Sequence, residues 1–266
     1  MNPTCKKRLG AIRLETMKVV AQEEIAPAIF ELVLEGEMVE AMRAGQFLHL
    51  RVPDDAHLLR RPISISSINK DKKQCHLIYR IEGAGTAIFS TLRQGDTLDV
   101  MGPQGNGFDL SDLDNQSQVL LIGGGIGVPP LLEVAKELHA RGVTVVTVLG
   151  FATKDAVILE TELAQYGQVF VTTDDGSYSI KGNVSVVIND LDSQFDAVYS
   201  CGAPGMMKYI NQTFYDHPRA YLSLESRMAC GMGACYACVL KVPDSETVSQ
   251  RVCEDGPVFR TGTVLL

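Results

Sequence analysis

No apolar run in the 266-residue chain is long enough to cross a bilayer. The longest, around residues 143–152, is interrupted by Thr147 and Gly150 and reads as a buried strand. Positive charge is also short: 24 Lys and Arg stand against 32 Asp and Glu, for a net charge of −8. Such a surface repels a phosphodiester backbone, so nucleic acid is not an expected partner. A small nucleotide is not excluded, because backbone N–H groups can hold a phosphate. Lys6, Lys7 and Arg8 are not followed by a secretory apolar stretch, which makes the cytoplasm the expected location and a membrane an unexpected partner. His49, His57, His76, His139 and His217 are scattered, form no paired metal motif, and read as surface or packing residues. No G-x-S-x-G nucleophile motif occurs. Asp109, Asp112 and Asp114 lack the glycine and distal glutamate of a calcium loop and read as a solvated acidic loop.

A hydrophobic fraction of 45% is enough for real cores, and the length allows two ordinary domains with a small appendage. The first third is strand-like. Short β-favouring runs at 19–20, 29–34, 46–52, 63–68, 75–81 and 97–101 are separated by Gly, Pro, Asp and Asn, a pattern that predicts a closed antiparallel barrel. A turn-rich exit at Gly102 to Gly107 places a domain boundary near Asp114. The period then changes. An apolar strand at 119–122, a glycine turn, a helix opened by Pro129 and Pro130 and striped by Leu131, Leu132, Ala135 and Leu138, and a second buried strand at 143–149 make a βαβ unit. Strands at 168–173 and 197–200 and a helix at 206–214 extend a parallel-sheet domain. From about Ser223 the chain is rich in cysteine and glycine and too short for its own core, so something must staple it.

Four of the seven cysteines lie there: Cys230, Cys235, Cys238 and Cys253, with the spacing C-x4-C-x2-C-x14-C. In a reducing compartment such crowding calls for a reason other than disulfides. The C-x4-C-x2-C start matches the loop of plant-type ferredoxins, and Gly231 and Gly233 let the backbone wrap closely. The interval to Cys253, beyond a hairpin turn at 243–245, does not match. A [2Fe–2S] cluster is the favoured ligand, with a four-cysteine zinc site as the competing account.

Two glycine turns follow parallel strands. Gly123, Gly124, Gly125 and Gly127 join a strand to a helix, where free N–H groups attract phosphate, and a tight connection is the plainer alternative. Cys201 and Gly202 open a similar turn and would share its sheet edge, making a candidate nicotinamide pocket. In the barrel, Arg61 of the run Arg60-Arg61-Pro62-Ile63-Ser64 can pair with a diphosphate, and Gly85-Thr86 starts a short helix. A surface ion pair and a simple cap are the alternatives.

Together these residues identify a resemblance. The chain resembles the ferredoxin–NADP reductase superfamily over nearly all its length. Within it, the chain is similar to the electron-transfer subunits of type B dihydroorotate dehydrogenases. Arg61-Pro62-Ile63-Ser64-Ile65, Met101-Gly102-Pro103, Gly123-Gly124-Gly125-Ile126-Gly127, the four cysteines and Asp255-Gly256-Pro257-Val258-Phe259 carry it. The resemblance implies an antiparallel flavin-binding β-barrel over 9–114, a parallel-sheet α/β nucleotide-binding domain over 115–222 and a [2Fe–2S] segment over 223–266. It implies FAD on Arg61, Pro62, Ile63, Ser64, Ile78, Tyr79, Arg80, Gly85 and Thr86, and cluster ligation by Cys230, Cys235, Cys238 and Cys253. NAD, rather than NADP, would be the diffusible substrate, with Lys154 a solvated surface lysine. The implied partner is an FMN-containing subunit that oxidises dihydroorotate in pyrimidine biosynthesis, in a heterotetramer of two plus two. Related subunits of sulfide dehydrogenases and transhydrogenases have Asp where Cys230 stands here, which favours the dihydroorotate branch and leaves those complexes as the alternative.

Overall fold

The computed structural model describes residues 11–191, 194–243 and 245–266. The basic residues Lys6 to Arg8, and the first two positions of the expected barrel domain, lie outside the described residues. Six strands form the N-terminal domain: β1 (Arg13–Ala26), β2 (Ile29–Glu35), β3 (Phe47–Leu50), β4 (Arg61–Asn69), β5 (Gln74–Arg80) and β6 (Thr97–Gln104). They close as an antiparallel barrel in the order β1-β2-β5-β4-β3-β6. Alternation drives the closure. Met17 and Val19 of β1 are fully buried while Lys18 between them is exposed, so one face of each strand fills the barrel. A short helix, α1 (Ala84–Phe89), follows β5. It begins before the expected Ala87 because the Thr86 hydroxyl accepts the Glu82 and Gly83 N–H groups at 3.0 and 3.2 Å and closes the first turn.

The second domain starts with β7 (Gln118–Gly124), α2 (Pro130–Ala140) and β8 (Thr144–Phe151). It continues through α3 (Glu160–Ala164), β9 (Gln168–Thr173), β10 (Ile180–Lys181), α4 (Val184–Asp190), β11 (Ala197–Cys201), α5 (Pro204–Thr213) and β12 (Ala220–Ser223). The strands pair in parallel, and helices cover the sheet, so β7 and β8 are continuous apolar runs. Short elements such as β10, α3 and β12 have too few apolar positions for periodicity to announce them.

The cysteine segment has a hairpin, β13 (Val239–Lys241) with β14 (Ser249–Arg251), around the expected turn at 243–245, of which Asp244 lies outside the described residues. Its last strand, β15 (Val258–Arg260), adds antiparallel to β12 and completes a seven-stranded sheet. The staple demanded by the sequence is therefore partly a strand.

Two polar clamps hold the parts together. Buried Glu133 on α2 accepts the Ile68 N–H of β4 at 2.8 Å, and Lys136 donates to the Ile68 carbonyl at 2.7 Å. Asn106, in the turn leaving the barrel, donates to the Val258 carbonyl at 2.8 Å and accepts the Val258 N–H at 3.1 Å. A buried carboxylate is tolerated only when its oxygens are satisfied, as here. No helix among the described residues is long and apolar enough to cross a membrane.

Candidate flavin and cluster sites

Arg61, Pro62, Ile63 and Ser64 of β4, Ile78, Tyr79 and Arg80 of β5, and Gly85 and Thr86 of α1 all line one cavity of about 550 Å³. A volume of this order suits a cofactor site. The two adjacent arginines have different tasks. Arg60 is spent within the barrel: its Nη2 donates to both Asp99 carboxylate oxygens at 3.0 Å, and its Nη1 to the Asp99 carbonyl at 3.0 Å. Arg61 faces the cavity, donates to the Leu59 carbonyl at 2.6 Å and has no carboxylate partner among the described residues. Among the described residues the surface ion pair weighed for it is absent, which leaves its charge available for a diphosphate. Gly85 makes room for it, since a Cβ there would stand 2.8 Å from Arg61 Nε.

Tyr79 borders the cavity, but its ring belongs to the barrel core. It stacks on Phe30, and its hydroxyl accepts from Gln22 Nε2 at 2.7 Å. Burial pushes the phenol up to about 12. Arg80 pairs with Glu82 on the cavity rim.

The sequence reading missed the opposite wall. Phe47, Ile126, Glu225, Met228, Val252 and Pro257 also line this cavity. Burial raises the Glu225 carboxyl, and the Glu82 charge adds to the effect. Contiguity was the available signal: Met228 is two residues before Cys230, and Val252 immediately precedes Cys253. The cysteine segment closes this cavity.

The four thiols fall into pairs. Cys238 and Cys253 are buried, with their sulfurs 3.3 Å apart, and the Gly233 N–H donates to Cys253 Sγ at 3.2 Å. Cys230 and Cys235 lie nearer the surface and share a hydrogen bond, and the Met232 N–H donates to Cys230 Sγ at 3.4 Å. Burial pushes Cys230 up, but the hydrogen bonds from Met232, Cys235 and Ala234 outweigh it and hold it at about 7. Burial and the Cys238 thiol push Cys253 up to about 12. No three His, Cys, Asp or Glu side chains among the described residues converge on one metal position. Two pairs of thiols with N–H groups aimed at sulfur fit a two-iron cluster better than a single tetrahedral ion. Arg251 fastens the loop, donating to the Gly233 carbonyl at 2.8 Å and to Asp255 at 3.2 Å.

The glycine turns meet at the sheet edge, because β7 and β11 are neighbours with Gly123 opposite Cys201. Much of their glycine content is explained by packing. A Cβ on Gly127 would stand 2.5 Å from Gly202 Cα, and one on Gly124 2.7 Å from Met206 Sδ. Gly125, by contrast, has open space around it, at a φ of +52°. Buried Cys201 has its thiol raised by burial and by the Glu225 charge. A larger cavity of about 1160 Å³, bordered by Arg43, Lys70, Lys136, Arg141 and Arg260, contains none of the residues predicted for a site.

Two parts of the chain match known protein families. Residues 16–108 match the model of the oxidoreductase FAD-binding domain, and residues 225–265 match the iron–sulfur cluster binding domain of dihydroorotate dehydrogenase B. The chain is 94% identical over 255 residues, 96% of its length and all of the relative's, to the electron transfer subunit of dihydroorotate dehydrogenase B (NAD+) from Streptococcus pneumoniae strain ATCC BAA-255 / R6. This chain belongs to that family. The subunit of the same name from Streptococcus mutans is 63% identical over 95% of this chain and 98% of its own. Among solved structures, a chain of the NADH-dependent reduced ferredoxin-NADP oxidoreductase is 30% identical with a TM-score of 0.83, covering 94% of this chain and 90% of that one. A ferredoxin NADP+ reductase from Neisseria gonorrhoeae, at 18% identity and a TM-score of 0.65 over 77% of this chain and 92% of its own, shares the fold. The flavin-binding barrel, the α/β domain and the C-terminal iron–sulfur segment are thus the parts of an electron transfer subunit of this family.

Proposed function

We propose that this chain carries electrons from the FMN of a dihydroorotate-oxidising partner subunit, through a [2Fe–2S] cluster and FAD, to NAD+, in a cytoplasmic heterotetramer of two plus two. The support is the packing of Met228 and Val252, neighbours in sequence of Cys230 and Cys253, on the wall of the flavin cavity. Bound FAD supplies exchange between hydride-carrying nicotinamide and a one-electron cluster. Arg61 neutralises its diphosphate, and the β4 backbone from Pro62 to Ser64 borders its ring system. Cys230 with Cys235, and Cys238 with Cys253, hold one iron each. Gly125, with Gly123, Gly124, Gly127, Cys201 and Gly202 shaping the edge, admits NAD. Exposed Met232 and Tyr236 in the cysteine loop, with exposed Val239 of β13 and Val248 just before β14, face the partner. The domains are 9–114, 115–222 and 223–266, with β15 lent by the last to the sheet of the second.

The visible spectrum of the anaerobically purified chain tests this. Flavin bands and a sulfur-to-iron shoulder, both bleached by NADH, are expected. A chain that stays colourless after reconstitution with FAD, iron and sulfide overturns it. Co-expression with the FMN subunit and native mass measurement test the two-plus-two assembly.

A further inference from the structure

His49 and Gln104 are fully buried polar side chains on neighbouring barrel strands, β3 and β6, and both meet the cysteine loop at one point. A Cβ added to Gly231 would stand 2.5 Å from His49 Nδ1 and 2.8 Å from Gln104 Oε1. Only a glycine, here at a φ of +67°, allows that approach, and it is the residue next to Cys230. Among the described residues no group stands in good hydrogen-bond geometry to either ring nitrogen of His49 or to Gln104 Oε1, the Arg60 backbone alone acting on the imidazole as a hydrogen-bond acceptor. The Gln104 amide is held on its other side, donating to the Met101 carbonyl at 3.3 Å. A buried polar group without a well-made hydrogen bond is costly, so the meeting of His49 Nδ1 and Gln104 Oε1 at one turn calls for a ligand from outside the polypeptide.

His49 is also placed on the flavin side. It lies opposite Pro62 in the β3–β4 ladder, while Phe47, two residues earlier on the same face, lies opposite Ser64. Phe47, Pro62 and Ser64 line the flavin cavity. The imidazole therefore stands between that cavity and the Cys230–Gly231 turn, and it carries an N–H in either tautomer.

We propose that His49, braced by Gln104, is a positioning residue for the iron–sulfur cluster, donating its ring N–H to the sulfur side of the cluster and raising its reduction potential relative to FAD. The inference rests on the cluster assignment above. A donor to sulfur stabilises the reduced cluster, which carries one more negative charge, so removing it makes reduction harder.

The test is an EPR-monitored redox titration of the holoprotein, with the FAD midpoint read in the same sample. His49→Leu is expected to disfavour cluster reduction about tenfold, a midpoint about 59 mV lower for one electron, with the FAD midpoint unmoved. His49→Asn, which retains an N–H, recovers at least half of the shift. In wild-type protein with 15N-labelled histidine, the reduced cluster shows a nitrogen coupling that His49→Leu abolishes. An unchanged cluster midpoint in His49→Leu, or equal shifts in the Leu and Asn variants, overturns the proposal while leaving the cluster assignment intact. Absence of any cluster signal in wild-type holoprotein overturns both. Should His49→Leu load no cluster, His49→Gln and His49→Met repeat the comparison with and without a donor. If donor and non-donor variants alike fail to load, His49 is a packing residue and the proposal falls.

Discussion

Arg251 donates from Nη1 to the Gly233 carbonyl at 2.8 Å, joining β14 to the turn between Cys230 and Cys235. The same guanidinium lies 5.2 Å from the centre of the Tyr236 ring and pairs with Asp255. One side chain thus holds the hairpin, the cysteine loop and the return to β15. Arg251→Ala removes a charge-assisted hydrogen bond of about 1.5–3 kcal/mol and is expected to loosen the segment selectively. Iron and sulfide content after gel filtration should fall while FAD content is kept. Equal retention of iron in variant and wild type would count against this role.

Arg61 bears on flavin affinity rather than on folding. With no carboxylate to leave unpaired, Arg61→Ala should change thermal stability little and weaken FAD binding by about tenfold to a hundredfold, the worth of a charge-assisted contact to phosphate. Gly85→Ala should act in the same direction by displacing the Arg61 side chain. Fluorescence titration of the apoprotein with FAD measures both.

Tyr79 gives the opposite pattern. Tyr79→Phe deletes the hydrogen bond from Gln22 Nε2 and should cost about 1 kcal/mol of stability, with FAD affinity unaltered. A large loss of FAD affinity would show that the phenol, and not only the strand, serves the cavity.

The glycine turns separate packing from ligand access. Gly127→Ala sets a Cβ against the Gly202 backbone, which cannot swing aside, and should destabilise by about 1–3 kcal/mol. Gly125→Ala meets no neighbour, and its left-handed backbone costs about 1–2 kcal/mol. Only Gly125→Ala should also raise the KM for NADH. Melting curves and NADH kinetics on both variants decide it.

Cys75, buried within the barrel, has its thiol pushed by burial from the ordinary value of 9.0 up to about 12. Its folded pKa is raised above its unfolded one, so the folded state binds the proton more tightly between those values. The associated stability is present below pH 9 and is lost as pH rises toward 12. Denaturation midpoints should fall across that window, and Cys75→Val should flatten the slope. In native protein Cys75 should resist alkylation at neutral pH, as peptide mapping would show.

Local chemistry made much of this molecule legible before any coordinates. Short β-favouring runs between turn residues marked the barrel strands, the change to a helical stripe after Gly127 marked the βαβ unit, and the spacing of the four cysteines marked the cluster loop. Each is a property of a few residues close together in the chain. What only the tertiary structure decided was the company those residues keep. Nothing in the sequence says that β15 returns to β12, that Arg60 is neutralised by Asp99 while Arg61 is not, or that Tyr79 turns into the core. Nor does it say that His49 and Gln104 end on Gly231, about 180 and 130 positions away in the chain. Periodicity reports which face of a strand is buried, but the partner buried against it is set by packing across distant segments, where shape and unpaired polar groups take over from sequence spacing.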